Sequence, residues 1–162
     1  MTNPFRYGEV VRGIDFTDRE RELESLVSEL SGKIRIFLVS PRRYGKTSLI
    51  LRALEELKSK GTLTVYIDLF RASSMEEFVE LYAKSVFTAM EGGIEKTIRL
   101  VKEMLPSLRP EMTLDEEGKP SLSLGLRQGK PRNLEEVFDL PERIAKKRGR
   151  RMVVALDEFQ EI

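Results

Sequence analysis

The chain has 162 residues, enough for one compact domain. Lys and Arg number 28 against 27 Asp and Glu, and the resulting net charge of +1 does not point to a polyanionic partner. With no Cys and no His, disulfide, thiolate and imidazole chemistry are excluded, so any catalysis must use carboxylates, Lys, Arg, hydroxyls or a bound hard cation.

The opening "MTNPFRYGEV" lacks the apolar core of a signal peptide, and no apolar run approaches a membrane span. These features predict a soluble, cytoplasmic protein. Asn and Gln occur twice each, while Lys, Arg and Glu abound, a thermophile-like bias.

In chain order, "FTDRERELESLVSELSG" predicts a helix. Thr17 and Glu20 would form a capping box, Leu23, Leu26, Val27 and Leu30 share one face, and Gly32 ends it. "KIRIFLVS" predicts a strand over 33–39 that turns wholly apolar, as a buried parallel strand does. "GKTSLILRALEELKSKG" predicts a second helix with Ile50, Ala53, Leu54 and Leu57 as its stripe. "TLTVYIDLF" predicts a strand with Asp68 near its C-terminal end.

Ser73 or Ser74 would cap a third helix, Gly92 and Gly93 break it, and a fourth runs to Pro106. Residues 106–132 then hold four of the seven prolines, and the alternation of Met112 and Leu114, then Leu122, Leu124 and Leu126, predicts a β-hairpin or loop insertion around "DEEGKP". "NLEEVFDLPERIAKKRG" predicts a helix kinked at Pro141, and "RMVVALDEFQEI" a buried strand running into two acids. Strands alternating with helices imply an α/β fold with a parallel sheet flanked by helices. The chain divides into a lead-in segment and helix (1–32), a core (33–105), the insertion (106–132) and a final helix and strand (133–162).

The chemistry centres on "SPRRYGKTS", residues 40–48. Gly-Lys-Ser/Thr alone recurs by chance in roughly one chain in ten to twenty of this length. Its placement between an apolar strand and an amphipathic helix is what a phosphate-binding loop requires, because loop and helix N-terminal N–H groups would face the phosphates. Ser40, Pro41, Arg42, Arg43, Tyr44, Gly45, Lys46, Thr47 and Ser48 are the candidate nucleotide-binding residues. Lys46 would reach the β- and γ-phosphates, and the Thr47 hydroxyl would hold Mg²⁺. A lysine in a first helical turn is repelled by the helix dipole and so asks for an anion. Ser40 stands where such a loop usually opens with glycine. Pro41 biases Ser40 to an extended conformation, so no positive φ is required there.

In "MVVALDEF", Asp157 and Glu158 follow an apolar strand, at the end where parallel sheets bind ligands. Asp157 would hold Mg²⁺ through water, and Glu158 would orient or deprotonate an attacking water. The alternative reading of this pair is a solvated acidic turn.

Taken together, "NPFRYGEVVRGIDFTDREREL", "SPRRYGKTSLI" and "VVALDEFQEI" resemble the archaeal-type P-loop ATPases of the AAA+/STAND group. The resemblance covers nearly the whole chain, least securely 106–132. It implies ATP and Mg²⁺ as ligands, ATP hydrolysis coupled to a conformational change, and an ASCE-type sheet of strand order five-one-four-three-two. It places Phe16 and Arg19 near the base or ribose, with an ordinary core anchor as the equal alternative for Phe16. It further implies that strands four and five would follow residue 162. A sheet lacking its central strand would then bind nucleotide weakly and offer its flanks to a protein partner or to self-association. The absence of an asn-lys-x-asp guanine reader favours adenine. A nucleotide-gated switch or inert fragment is a second reading. A nucleic-acid-binding module is a third, resting on Arg143, Lys146, Lys147, Arg148, Arg150 and Arg151, for which helix-end capping is the simpler account.

Overall fold

A computed structural model describes residues 19–32, 34–41, 44–90, 92–115, 117–126 and 134–159. Helix α1 (Glu20–Ser31) begins with Arg19 in the cap position, making no side-chain cap bond. Thr17 and Phe16 lie outside the described residues. Helix α2 (Lys46–Ser59) starts from Gly45, whose φ of 69° is the left-handed conformation that a glycine adopts without penalty. The buried stripe of α2 includes Ser48, Leu49, Ala53, Leu54 and Leu57, so Leu49 takes the inward position expected for Ile50.

Strand β1 (Leu63–Asp68) leads through a short 3₁₀ turn to α3 (Met75–Thr88). Ser74 caps α3 by accepting from the Glu77 N–H, while the Glu77 carboxylate reaches back to the N–H and hydroxyl of Ser73. Helix α4 (Gly93–Met104) precedes the antiparallel hairpin of β2 (Leu108–Leu114) and β3 (Pro120–Leu126). The hairpin turns at Asp115, which accepts from the Glu117 and Lys119 N–H groups. In place of one kinked helix there are two, α5 (Leu134–Phe138) and α6 (Leu140–Arg148), with Pro141 in the first turn of α6, where its missing N–H costs nothing. Strand β4 (Met152–Asp157) is the last strand among the described residues.

β4 pairs with β1 in parallel, in the register Leu63↔Met152 through Asp68↔Asp157. Its alternation divides two hydrophobic clusters. Met152, Val154 and Leu156 face the large core built from β1, α3, α4, the hairpin, α5 and α6. Val153 faces a smaller cluster of Leu23, Val27, Leu49, Ala53 and Leu57 between α1 and α2. Leu63, Val65 and Ile67 also face the large core, so the period of two turns Thr64, Tyr66 and Asp68 toward α2.

The apolar run 34–39 departs from the expectation of a buried strand. Residues 34–41 lie outside the helices and strands, and Phe37 and Val39 are 87% and 91% exposed. Among the described residues the parallel ladder consists of β1 and β4 alone, and a strand exists only where a neighbour takes its N–H and C=O groups. Leu38 is the exception in this run: it packs on the smaller cluster.

Candidate functional site

The β1–β4 register puts Asp68 beside Asp157 at the C-terminal edge of the strand pair, and α2 begins over that edge. Asp157 is 3% exposed and accepts hydrogen bonds on both oxygens. Oδ1 receives the Lys46 ammonium at 2.9 Å and the Glu158 N–H at 3.0 Å. Oδ2 receives the Thr47 hydroxyl at 2.7 Å and the Tyr66 hydroxyl at 3.0 Å. Residues separated by more than a hundred positions thus meet at one carboxylate.

Burial alone would raise the Asp157 pKa, but the bonds from Thr47, Lys46, Tyr66 and the Glu158 N–H outweigh it and hold the carboxyl below its usual range. The Asp157 hydrogen bond in turn raises the Lys46 pKa against a smaller opposing effect of burial, with the charges of Asp157 and Glu158 adding to the rise. Desolvation first, then the bond to Asp157, pushes the Tyr66 phenol up, so it stays a donor.

Glu158 lies 3.7 Å from the Lys46 ammonium and is partly open to solvent. Its φ of 55° is left-handed, uncommon for a residue with a side chain. Such strain, of order 1–3 kcal/mol, persists where the surroundings over-determine it. Here the residue's own N–H is held by Asp157.

The loop before α2 is tied to α1. The Arg19 guanidinium donates to the Tyr44 carbonyl at 2.6 Å and is itself held by Glu22 at 2.9 Å. Arg19 therefore sits on the loop backbone beside Gly45. Tyr44 is exposed, Ser48 is buried, and among the described residues the Ser40 hydroxyl approaches only the Pro41 carbonyl, at 3.4 Å. Arg42 and Arg43 fall outside the described residues.

Of the residues read from the sequence, the structure brings together Lys46, Thr47, Asp157 and Glu158. Tyr66 was missed. In sequence it is one polar-tipped aromatic in an alternating strand, and only the register reveals its contact. Sequence reading also named the basic run at 143–151 without its partners. Arg143 donates to Met104 O at the end of α4, and Arg150 to Gly61 O beyond α2. Arg151 donates to Leu30 O and Ser31 O at the end of α1. Lys147 pairs with Glu103, and Lys146 with Glu142. These cations meet carbonyls or carboxylates of the fold, as cations at helix C-termini do.

The donor set can suit a hard cation. A hydroxyl and a carboxylate oxygen stand side by side, which is enough for Mg²⁺, an ion that keeps most of its water. Among the described residues no group of three or more Asp or Glu gathers as an all-protein cage. Two clefts of about 260 and 270 Å³ open elsewhere, one between α3, α4 and β3 and the other between α4 and α6. No helix among the described residues is long and apolar enough to cross a membrane.

The helix that starts at Gly45-Lys46-Thr47 meets an acid at the tip of a parallel strand, within an α/β domain. The family of ATPase domains found predominantly in Archaea matches residues 16–162, and the chain belongs to it. No curated protein and no solved structure matches the chain.

Proposed function

We propose that this ATPase-type domain binds Mg²⁺-ATP at the loop 40–48 and hydrolyses it with Glu158, as an AAA+/STAND-type ATPase that couples the reaction to a conformational change. The observation that carries the reading is the meeting of Lys46, Thr47 and Glu158 at Asp157. Lys46 offers its charge to the β- and γ-phosphates, Thr47 its hydroxyl oxygen to Mg²⁺, and Asp157 holds the ion's water. Bound Mg²⁺ would neutralise charge on the phosphate oxygens. Glu158 orients the attacking water and accepts its proton. Lys46 contacts both acids, so its move to phosphate takes its charge away from Glu158. The N–H groups of Gly45, Lys46 and Thr47 open α2 and suit an anion.

β1 and β4 are the second and third strands of the order five-one-four-three-two, counting 33–39 as the first, and their parallel adjacency is one of its neighbour relations and supports that topology. The hairpin, which adds Leu108, Leu122 and Leu124 to the large core, is read as an insertion within one domain. Arg19, bonded to the loop backbone, is read as closing the adenosine side of the site together with Phe16.

Titration with a fluorescent ATP analogue, with and without Mg²⁺, tests the reading. Lys46→Ala lowers affinity by ~10-fold or more through loss of a charge-assisted bond. Asp157→Asn weakens only the Mg²⁺-dependent part, and Glu158→Gln retains binding and lowers turnover. Unchanged affinity in Lys46→Ala would sink the assignment.

A further inference from the structure

We infer that Tyr66 is the positioning residue that keeps Asp157 in place when nucleotide draws Lys46 away from it, so that Tyr66 sets the Mg²⁺-dependent part of nucleotide affinity. The inference rests on the nucleotide-binding reading of the site.

Asp157 accepts four hydrogen bonds, from Lys46, Thr47, Tyr66 and the Glu158 N–H. An ionised carboxylate has about four lone-pair sites, so every acceptor position is taken. Binding at this site is therefore an exchange. Lys46 leaves, because the same ammonium serves the phosphates. Thr47 stays, because a hydroxyl can give an oxygen lone pair to a cation and still donate its proton to Asp157. Three donors remain: the Glu158 N–H on Oδ1 and the Thr47 and Tyr66 hydroxyls on Oδ2. Of the two side chains, Tyr66 is the one that does not itself serve the nucleotide or its ion.

The strand geometry explains why a tyrosine does this. Tyr66 pairs with Ala155, and Asp157 lies two residues further along the same face of β4. That separation is about 6.6 Å at the strand rise, beyond a serine or threonine and within reach of a phenol. The cross-strand neighbour of Tyr66 is the small residue Ala155. The ring is half-buried, and the strand that carries it puts Val65 and Ile67 into the large core on either side, so the hydroxyl is delivered from a rigid element. Without this bond, a carboxylate buried to 3% exposure would lose one of its three remaining donors at the moment it must hold the hydrated cation.

The test is Tyr66→Phe, which deletes one oxygen and keeps the ring. Affinity for the fluorescent ATP analogue is measured in EDTA and in saturating Mg²⁺, alongside thermal unfolding. The expected result is unchanged affinity in EDTA and loss of on the order of 10-fold in the Mg²⁺ increment. An intact Mg²⁺ increment overturns the role of Tyr66. Equal losses in EDTA and Mg²⁺ also overturn it, since they mean a general defect of the site. If the unaltered chain binds the analogue in neither condition, the nucleotide reading itself fails and takes this inference with it. Should Tyr66→Phe unfold, Ala155→Val crowds the ring in an otherwise intact strand, and the same Mg²⁺-selective loss is expected; an unchanged increment there refutes the inference.

Discussion

The halves of the site rest on unequal foundations. Asp157 and Tyr66 project from β4 and β1, whose opposite faces enter the large core with Phe78, Val86, Phe87, Leu105 and Ile144. Lys46 and Thr47 begin α2, which packs with α1 on a cluster of Leu23, Val27, Leu49, Ala53 and Leu57. The acid side is built from fully buried residues, several of them large. The loop side is thin, and the exposed run containing Phe37 and Val39 leads into it. Elements with few buried apolar contacts open at lower free energy. The difference teaches that the carboxylate is the fixed reference of the site and the start of α2 the part free to adjust.

The largest effect should come from the acid side. Phe87→Ala removes a side chain of no measurable exposure and should cost about 3–5 kcal/mol of global stability, read by urea unfolding. Leu57→Ala in the smaller cluster should cost less, toward the lower end of the ~2–5 kcal/mol range for such truncations. Its signature is local. Amide hydrogen exchange should quicken in α1 and α2 while β1, β4 and α3 keep their protection. Uniform acceleration would break the comparison and make the two clusters one cooperative unit.

Asp157 joins the halves, and its depressed pKa makes the joint sensitive to acid. Its contribution is present above the unfolded carboxylate pKa of about 3.9 and is lost as pH falls from there through the lower folded value. Lys46 has the opposite sign: its raised pKa keeps its contribution intact below the ordinary lysine value, to be lost only as pH rises through the folded one. Asp157→Asn should therefore flatten the acid limb of a stability–pH curve below about pH 4 and leave the neutral region level. An acid limb identical to that of the unaltered chain would show that other carboxylates carry it.

The smallest effect belongs to Ser40. Its hydroxyl makes one long contact, with the next residue's carbonyl, and nothing described depends on it. Ser40→Gly should change analogue affinity within roughly twofold, the scale of a substitution away from such features. A large gain would identify the serine as a defect of the loop.

Several features were legible in the sequence because their causes are local. Gly45 precedes a helix at a left-handed φ, Ser74 accepts a first-turn N–H of α3, and Asp115 organises a turn whose flanks alternate. The Gly-Lys-Thr triplet and the two acids could be read as a pair because each sits at an element end, where backbone groups and strand tips are available to a ligand. Periodicity also named most of the buried faces. It misassigned Ile50 and Leu49 because neighbours on a helix face differ by 100° and only the packed partner decides between them.

The tertiary structure decided what depends on partners far away in sequence. Periodicity says which face of a strand is apolar but not which strand lies beside it, so the apolar pattern at 34–39 did not make a strand while β1 and β4 paired. The parallel register put Tyr66 within reach of Asp157, a relation across 91 positions that no local rule encodes. Arg143, Arg150 and Arg151 read as a basic run until the carbonyls at the ends of α4, α2 and α1 came within hydrogen-bond distance. Local structure follows from backbone sterics and nearby hydrogen bonds, which a short window contains. Pairing, register and the donors around a buried carboxylate follow from how several elements share one core, and that is settled only when the whole set packs.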